Sequence, residues 1–357
     1  MTAPATPLAG LRVLEFASIG PGPHAAMLLS DLGAEVLRVE RIGGNGWPNP
    51  VMDRGRALLS LDIRTPAGRD HALAIADRAD VVIEGLRPGV MERLGLGPEV
   101  MLGRNPRLVY GRMTGWGQSG PLAQAAGHDL NYIALSGTLA AIGTAGMPPP
   151  PPLNLIGDFG GGSMFLVTGI LAALLERERS GRGQVIDAAI VDGVSSMMAM
   201  FAGLVPNGLL SMERSSNMLG GAAPFYRCYT CSDGRHVSIG AIEPKFYAEL
   251  VDRLCLPAAL VAEQMVVERW HETARLFASV FVTRTRDAWC ELLEGTDTCF
   301  APVLELEEVA SHPHMAERGS FVGNTWHAAP APRLSRTPAR IAPTSDGAAL
   351  AAQWGVA

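Results

Sequence analysis

Short, nearly continuous apolar runs alternate along the first part of the chain with segments whose apolar residues recur every three or four positions. LRVLEF (11–16), AEVLRVE (34–40), ALLSLDI (57–63), DVVIEGL (80–86) and LVYGRM (108–113) read as buried strands. HAAMLLSDLG, TPAGRDHALAIADRA and the two short amphipathic pieces of RPGVMERLGLGPEVMLGRNP read as the helices between them. Strands alternating with helices at this spacing predict βαβ units and an open, mostly parallel α/β sheet. Ligands of such sheets bind beyond the carboxyl ends of the strands. The first loop, ASIGPGP, lacks G-x-G-x-x-G in register, so no dinucleotide fingerprint is present.

A different pattern opens with MPPPPP (147–152), which can be neither helix nor inner strand and reads as a stiff connector. It leads into LNLIGDFGGGSMF (153–165), read as a strand-like run joined to a long apolar helix. Phe165, Leu166, Ile170, Leu171, Leu174 and Leu175 fall at helical spacing. Arg177 and Arg179 suit the last turn, and Gly181 suits the C-cap. Asp158 then sits at or near the N-cap, followed by Gly160, Gly161 and Gly162. Those glycines either let a ligand approach free backbone N–H groups or simply pack on a neighbouring element. Next come GQVIDAAIVDG, a strand turning into a helix, and Met197, Met198, Met200, Met212 and Met218. The methionines read equally as ordinary core and as an adaptable wall for an acyl chain.

Residues 205–224, rich in Gly, Ser and Asn, read as a linker. Beyond it, FYRCYTC-SDGR-HVSIGAI predicts a hairpin with an Asp-Gly turn. Helices over EPKFYAELVDRLCL, 270–281 and 286–294 follow, and then a strand at 299–306. The expected organisation is a large α/β domain over 1–204, a linker over 205–224 and a small α+β domain over 225–324. A proline-rich return over 325–357 then crosses the first domain.

Composition narrows the function classes. The chain has 357 residues, 48% apolar and 18% charged, with a net charge of −6, which gives no general attraction to nucleic acid or acidic membrane. The N-terminal MTAPATPLAG shows no signal-peptide pattern, the final WGVA is no peroxisomal address, and no apolar run reads as long enough to span a bilayer. Five cysteines, an odd number, suggest free thiols in a reducing cytoplasm. The CYTC pair Cys228 and Cys231 lacks a second ligand pair for zinc and sits in a hairpin, which disfavours metal or redox work. Arginine is the main cation, since the chain has one lysine. Arg38, Arg41, Arg87 and Arg93 fall at strand ends, where forked guanidinium groups suit phosphate.

GPGPHAAMLLSDLGAEVLRVE, RPGVMERLGLGP, RMTGWGQSGP, GHDLNY, PPLNLIGDFGGGSMF, GQVIDAAIVDG and AIEPKFYAEL together resemble the family III CoA transferases, the CaiB/BaiF group, and within it the racemase branch. The resemblance runs from the N-terminus to past residue 310. It implies a Rossmann-like large domain with a smaller α+β domain, two subunits interlocked as a homodimer, and an acyl-CoA thioester as substrate. No cofactor is implied beyond the CoA that the substrate carries, and no metal. It implies His128 and Asp158 as an acid/base pair that racemises 2-methylacyl-CoA at the α-carbon through an enolate. Asn154 and Glu243 would support them, Glu243 reaching His128 from the partner subunit. The CoA portion would lie near Arg41, Leu61, Asp62, Ile63, Arg64, Gly85, Leu86, Arg87, Arg93, Gly127, Asp129, Leu130, Asn131 and Tyr132. His24, His236, His312 and His314 read as structural or exposed.

Chemistry explains why that pair suits the task. A thioester α-proton is weakly acidic, so its removal needs a placed base and a stabilised enolate oxygen. The helix start at Asp158 offers backbone N–H groups for that oxygen. Three other readings compete. A CoA transferase on the same fold would use Asp158 as a nucleophile. The GHD context of His128, and LGGAAPFY where the formyl-CoA transferase branch carries four glycines, favour the racemase. A non-catalytic acyl-CoA-binding protein would not need both His128 and Asp158. A serine hydrolase built on Ser163 fails because GGGSM is not a G-x-S-x-G elbow.

Overall fold

The structure is a computed structural model describing residues 6–44, 48–323 and 325–356. The first residues of MTAPATPLAG and Ala357 of the final WGVA lie outside the described residues. The chain divides into two compact units. The first comprises 1–136, 152–197 and 327–357, and the second 137–151 and 198–326. Segments 137–151 and 198–204, which the sequence reading gives to the large domain, therefore belong with the second unit.

The first unit contains β1 (Arg12–Phe16), α1 (Pro21–Asp31), β2 (Glu35–Glu40), β3 (Arg56–Ser60), α2 (Pro66–Ala76), β4 (Val81–Glu84), α3 (Val90–Arg93), α4 (Pro98–Arg104), β5 (Val109–Thr114) and α5 (Asp129–Leu135). After the excursion of the chain through 137–151 come α6 (Met164–Ser180), β6 (Val185–Ala189) and α7 (Ile190–Met197). The second unit holds α8 (Ala199–Leu204), β7 (Tyr226–Thr230), β8 (His236–Gly240), α9 (Pro244–Arg253), α10 (Ala259–Ala262), α11 (Val267–Phe281), α12 (Arg286–Leu293), β9 (Phe300–Pro302) and α13 (Pro313–Glu317). The chain returns to the first unit as β10 (Ser345–Asp346) and α14 (Gly347–Gln353).

Seven parallel strands run in the order β10-β3-β2-β1-β4-β5-β6. The central strands are buried on both faces, as all-parallel sheets require, which is why they read as continuous apolar runs. Leu14, Phe16, Leu37, Val39, Val82 and Tyr110 form one core with residues of α2 and α14. Local chemistry sets the helix ends. Thr65 caps α2 by accepting from the Gly68 amide at 3.1 Å, with Pro66 at the first helical position. Gly181 ends α6 in the left-handed conformation at φ 75°, with its amide on the Arg177 carbonyl.

One ionic cluster lies inside the sheet and corrects an expectation. Arg38 is only 2% exposed, and its side chain binds Asp53 at 2.6 Å. In register it stands opposite Glu15, which is fully buried and bonded to Arg56 at 3.1 Å. Strand parity turns Arg38 into this face, so its guanidinium is occupied internally and is not a phosphate contact.

The strand expected at LNLI is absent. Leu155–Ser163 instead forms a π-helix, which continues into α6; the Met164 amide reaches the Phe159 carbonyl five residues back. Such wide turns are rare and concentrate at functional sites. The two together form one helix, Leu155–Ser180, of 26 residues, long and apolar enough to cross a membrane by length and composition. That corrects the expectation that this segment is too short. Its stripe of Leu166, Val167, Ile170 and Ala173 is buried, with Leu166 and Ile170 packed over Gly111 of β5, so that face of the helix is core, while Leu155, Met164 and Leu175 are exposed.

The glycines of this helix have a packing role. A side chain on Gly161 would meet Val194 Cγ2 at 2.6 Å, and one on Gly193 would meet the Gly161 carbonyl oxygen at 1.9 Å. The two backbones cross with no room for a Cβ. Gly193→Ala is expected to cost about 3 kcal/mol or more. A melting temperature within a degree of the native protein's would contradict this account of the crossing.

In the second unit β7, β8 and β9 form an antiparallel sheet covered by helices, and the hairpin turns at Gly234 with φ 77°. Phe225, Tyr229, Tyr247, Phe277, Phe281 and Trp289 fill its core. Cys228 is exposed while Cys231 is buried in that core, so the CYTC thiols do not converge.

Candidate active site

The sheet's strand order reverses between β1 and β4, the switch point at which open α/β sheets bind ligands. A cavity of about 820 Å³ opens there, within the first unit. Its floor comes from 18–21 after β1, 85–88 after β4 and 113–116 at the end of β5. Its wall carries Gly127, His128, Tyr132, Asn154, Asp158 and Phe159. The methionines in the lining are Met52 and Met113; Met197 packs instead over Gly160, and the four later ones lie in the second unit. Of the two readings of the methionine-rich stretch, ordinary core or an acyl-chain wall, the second is therefore not met in this cavity.

Asp158 sits in the first turn of the π-helix rather than at its N-cap, which is Asn154. Asn154 Nδ2 donates to Asp158 Oδ2 at 3.1 Å. Opposite it lies Gly20, at φ 68°, where a Cβ would stand 3.1 Å from Asp158 Oδ2. That close approach and positive φ together favour glycine at this loop position. Burial pushes the Asp158 pKa up; the Asn154 hydrogen bond opposes the rise, and the carboxylate of Asp129 adds to it. The raised pKa makes the carboxylate a stronger base than a free aspartate, which suits a group that takes and returns a proton.

The expectation for the enolate oxygen also changes. The Asp158 amide already donates to Asp129 Oδ2 at 2.7 Å, so it is not free for an oxyanion. Gly160, Gly161 and Gly162 stand outside the cavity lining, and Gly161 and Gly162 face α1 and α7. Of the two readings left open by the sequence, packing on a neighbour is the one these glycines follow.

His128 is the exposed N-cap of α5, and its amide donates to Asn131 Oδ1 at 3.0 Å. The ring of Tyr132 fills the space over Gly115 and Gly127 and meets Trp116 edge-on at 4.7 Å. Its hydroxyl donates to the Gly127 carbonyl. Burial, with Asp158 and Asp129 nearby, pushes the Tyr132 pKa up to about 12, so it stays neutral and acts as packing. His24, from α1, bonds Ser163 Oγ through Nδ1 at 2.5 Å and packs against Phe159 at 4.6 Å. Ser163 is fully buried, which seals off the hydrolase reading.

Of the residues expected near CoA, Gly85, Leu86, Arg87, Gly127 and Tyr132 line the cavity. Arg87 is the one guanidinium in the lining among the described residues. Arg41 is exposed and bonds the Gly44 carbonyl at 2.6 Å. Asp62 and Arg64 pair with each other at 2.8 Å on the surface, while Leu61 and Ile63 lean on the sheet core. Arg93, Leu130 and Asn131 are exposed outside the lining, and Asp129 is buried. Glu243 is the N-cap of α9 in the second unit.

A family model described as CoA-transferase family III matches residues 8–350. The chain belongs to CoA-transferase family III. Alpha-methylacyl-CoA racemase of Mus musculus is 46% identical over 93% of this chain and 87% of its own length. The Homo sapiens racemase is 44% identical over the same shares. Among solved structures, a CAIB/BAIF family protein from Brucella suis superposes with a TM-score of 0.81 at 28% identity, covering 98% of this chain and all of its own.

Within this family III fold, sequence reasoning missed the 18–20 loop and the structural place of Asp129. The loop's signal was its position: it follows the first strand of a parallel sheet, where the switch point falls. Asp129 had none beyond adjacency to His128, because its partner is a backbone amide distant in sequence.

Proposed function

We propose that this enzyme epimerises 2-methylacyl-CoA thioesters by proton transfer at the α-carbon. The observation that carries the reading is that His128 and Asp158, on two different elements, open on one cavity at the carboxyl ends of the sheet strands. The racemases of mouse and human, nearly half identical over most of the chain, support the substrate class. One group takes the α-proton from one face of the carbon and the other returns one to the opposite face. Asn154 holds the Asp158 carboxyl through Oδ2, and Arg87 stands ready in the lining for a phosphate of CoA. The reaction moves only protons, so the chemistry calls for no redox group. A homodimer, with Glu243 of the partner subunit supporting His128, belongs to the same reading.

The test is one epimer of a 2-methylacyl-CoA in D2O without any acceptor acid, followed by mass for α-deuterium and by chiral separation for the epimer ratio. Deuterium uptake with inversion supports the proposal. No uptake, with CoA moving once a free carboxylic acid is added, would replace it with a transferase in which Asp158 is the nucleophile. Binding of the thioester with neither reaction would leave a binding protein.

A further inference from the structure

Asp129 is a buried carboxylate with an incomplete set of partners. It is the first residue of α5, directly after His128, and is 6% exposed. Its Oδ2 accepts the Asp158 amide at 2.7 Å, while Oδ1 is buried with no hydrogen-bond partner among the described residues. Burying a carboxylate in this way is costly, so the fold gains something specific from it. Space is kept for it: a Cβ on Gly157 would lie 2.4 Å from Asp129 Oδ2 and 2.8 Å from its Cγ. It lies outside the cavity lining, so it is not placed to touch CoA.

We propose that Asp129 is a positioning residue whose Oδ2 clamps the π-helix at the Asp158 amide and so sets where the Asp158 carboxyl stands relative to the helix that begins at His128. This rests on the acid/base reading of the pair. The wide turns need such a clamp because the first amides of any helix lack partners within it. The bond also joins the two elements that carry the reacting groups, so a loosened clamp moves one group against the other. A misplacement of about 1 Å can cost roughly 10²-fold in rate. The carboxylate acts on Asp158 by charge as well, favouring its protonated form. The ionisable groups facing Asp158 are His128, Asp129 and Tyr132 from α5, with His24 of α1 packed against the next residue, Phe159.

Asp129→Ala and Asp129→Asn in the full chain separate the two effects. The alanine variant is expected to lose kcat by about 10²-fold, with KM for the thioester within about threefold. The asparagine variant keeps an oxygen acceptor for the amide, so it is expected to recover to within about fivefold. It is also expected to move the Asp158 carboxyl titration, read by carbon-13 NMR, to lower pH. Hydrogen exchange at the Asp158 amide is expected to be fast in the alanine variant and protected in the asparagine one. An alanine variant within twofold of native kcat, or an Asp158 amide equally protected in both, would overturn the proposal. If the alanine variant fails to fold, the asparagine variant decides: loss of amide protection there overturns it, and retained protection with the shifted titration supports it. If native protein takes up no α-deuterium, the epimerase reading fails by itself, and the amide and titration measurements still judge the clamp.

Discussion

Asp158→Asn is expected to lower the rate of epimerisation by about 10³-fold or more, with thioester binding kept. Asparagine can still accept from Asn154 but cannot take or return a proton. One face of the α-carbon then loses its acid/base group. His128 remains, so the epimer whose α-hydrogen faces it is expected to exchange with solvent deuterium while keeping its configuration. The same substitution is expected to stabilise the fold at neutral pH. Burial raises the Asp158 pKa above its ordinary 3.8, so between those two values the native state binds more protons than the unfolded one. Stability therefore falls as pH rises through that window, and ionised Asp158 is a burden at pH 7. Asparagine removes that burden. The melting temperature of the variant should exceed the native one at pH 7, and the gain should vanish below about pH 3.8. Equal melting temperatures at pH 7 would contradict the electrostatic account even if activity is lost.

His128→Asn is expected to be the mirror of that variant, with epimerisation down by about 10²- to 10⁴-fold. His128 is exposed and caps α5, and asparagine is a good N-cap, so the fold should tolerate the change. Asp158 now exchanges the epimer that Asp158→Asn leaves untouched. Measured together, the two variants form a stereochemical cross-check: each washes out the α-hydrogen of one epimer, and never the same one. If both variants exchange the same epimer, one base serves both faces and the two-group mechanism is wrong. If both retain full CoA transfer to an added acid, neither is the acid/base group of the main reaction.

The parallel sheet was legible because its strands are buried on both faces and so appear as bare apolar runs. Chain order alone does not state strand order, yet βαβ repetition leaves few alternatives, and the observed arrangement is one of them. The junction at 153–163 was not legible. LNLI is apolar and follows five prolines, which favours an extended reading, whereas tertiary contacts of Gly161 and Gly162 with α1 and α7 hold it as wide helical turns. The glycines were misjudged for the same reason: what they admit is a neighbouring backbone. Arg38 looked like Arg87 because both follow apolar strands. Arg38 lies inside its strand, where parity aims it at Glu15 and Asp53; Arg87 lies in the loop beyond, at the cavity. His128 and Asp158 were visible through the motifs around them, but the bond that links their elements spans 29 residues and carries no sequence signature.

The edge strand β10 has a bearing on biosynthesis. Ser345 and Asp346 pair with Ala57 and Leu58 of β3, and Gly347 sits so close that a Cβ there would lie 2.5 Å from the Leu58 carbonyl. A ribosome makes β3 well before β10, with the whole second unit emerging between them. Until translation reaches Ser345, the outer border of β3 presents open amides and carbonyls to solvent, a template for pairing with another nascent chain. The inserted unit has its own core and can be finished while its host still waits for its closing segment. A stalled or prematurely terminated message would thus release a chain with a folded insert, an uncapped sheet and a tendency to aggregate.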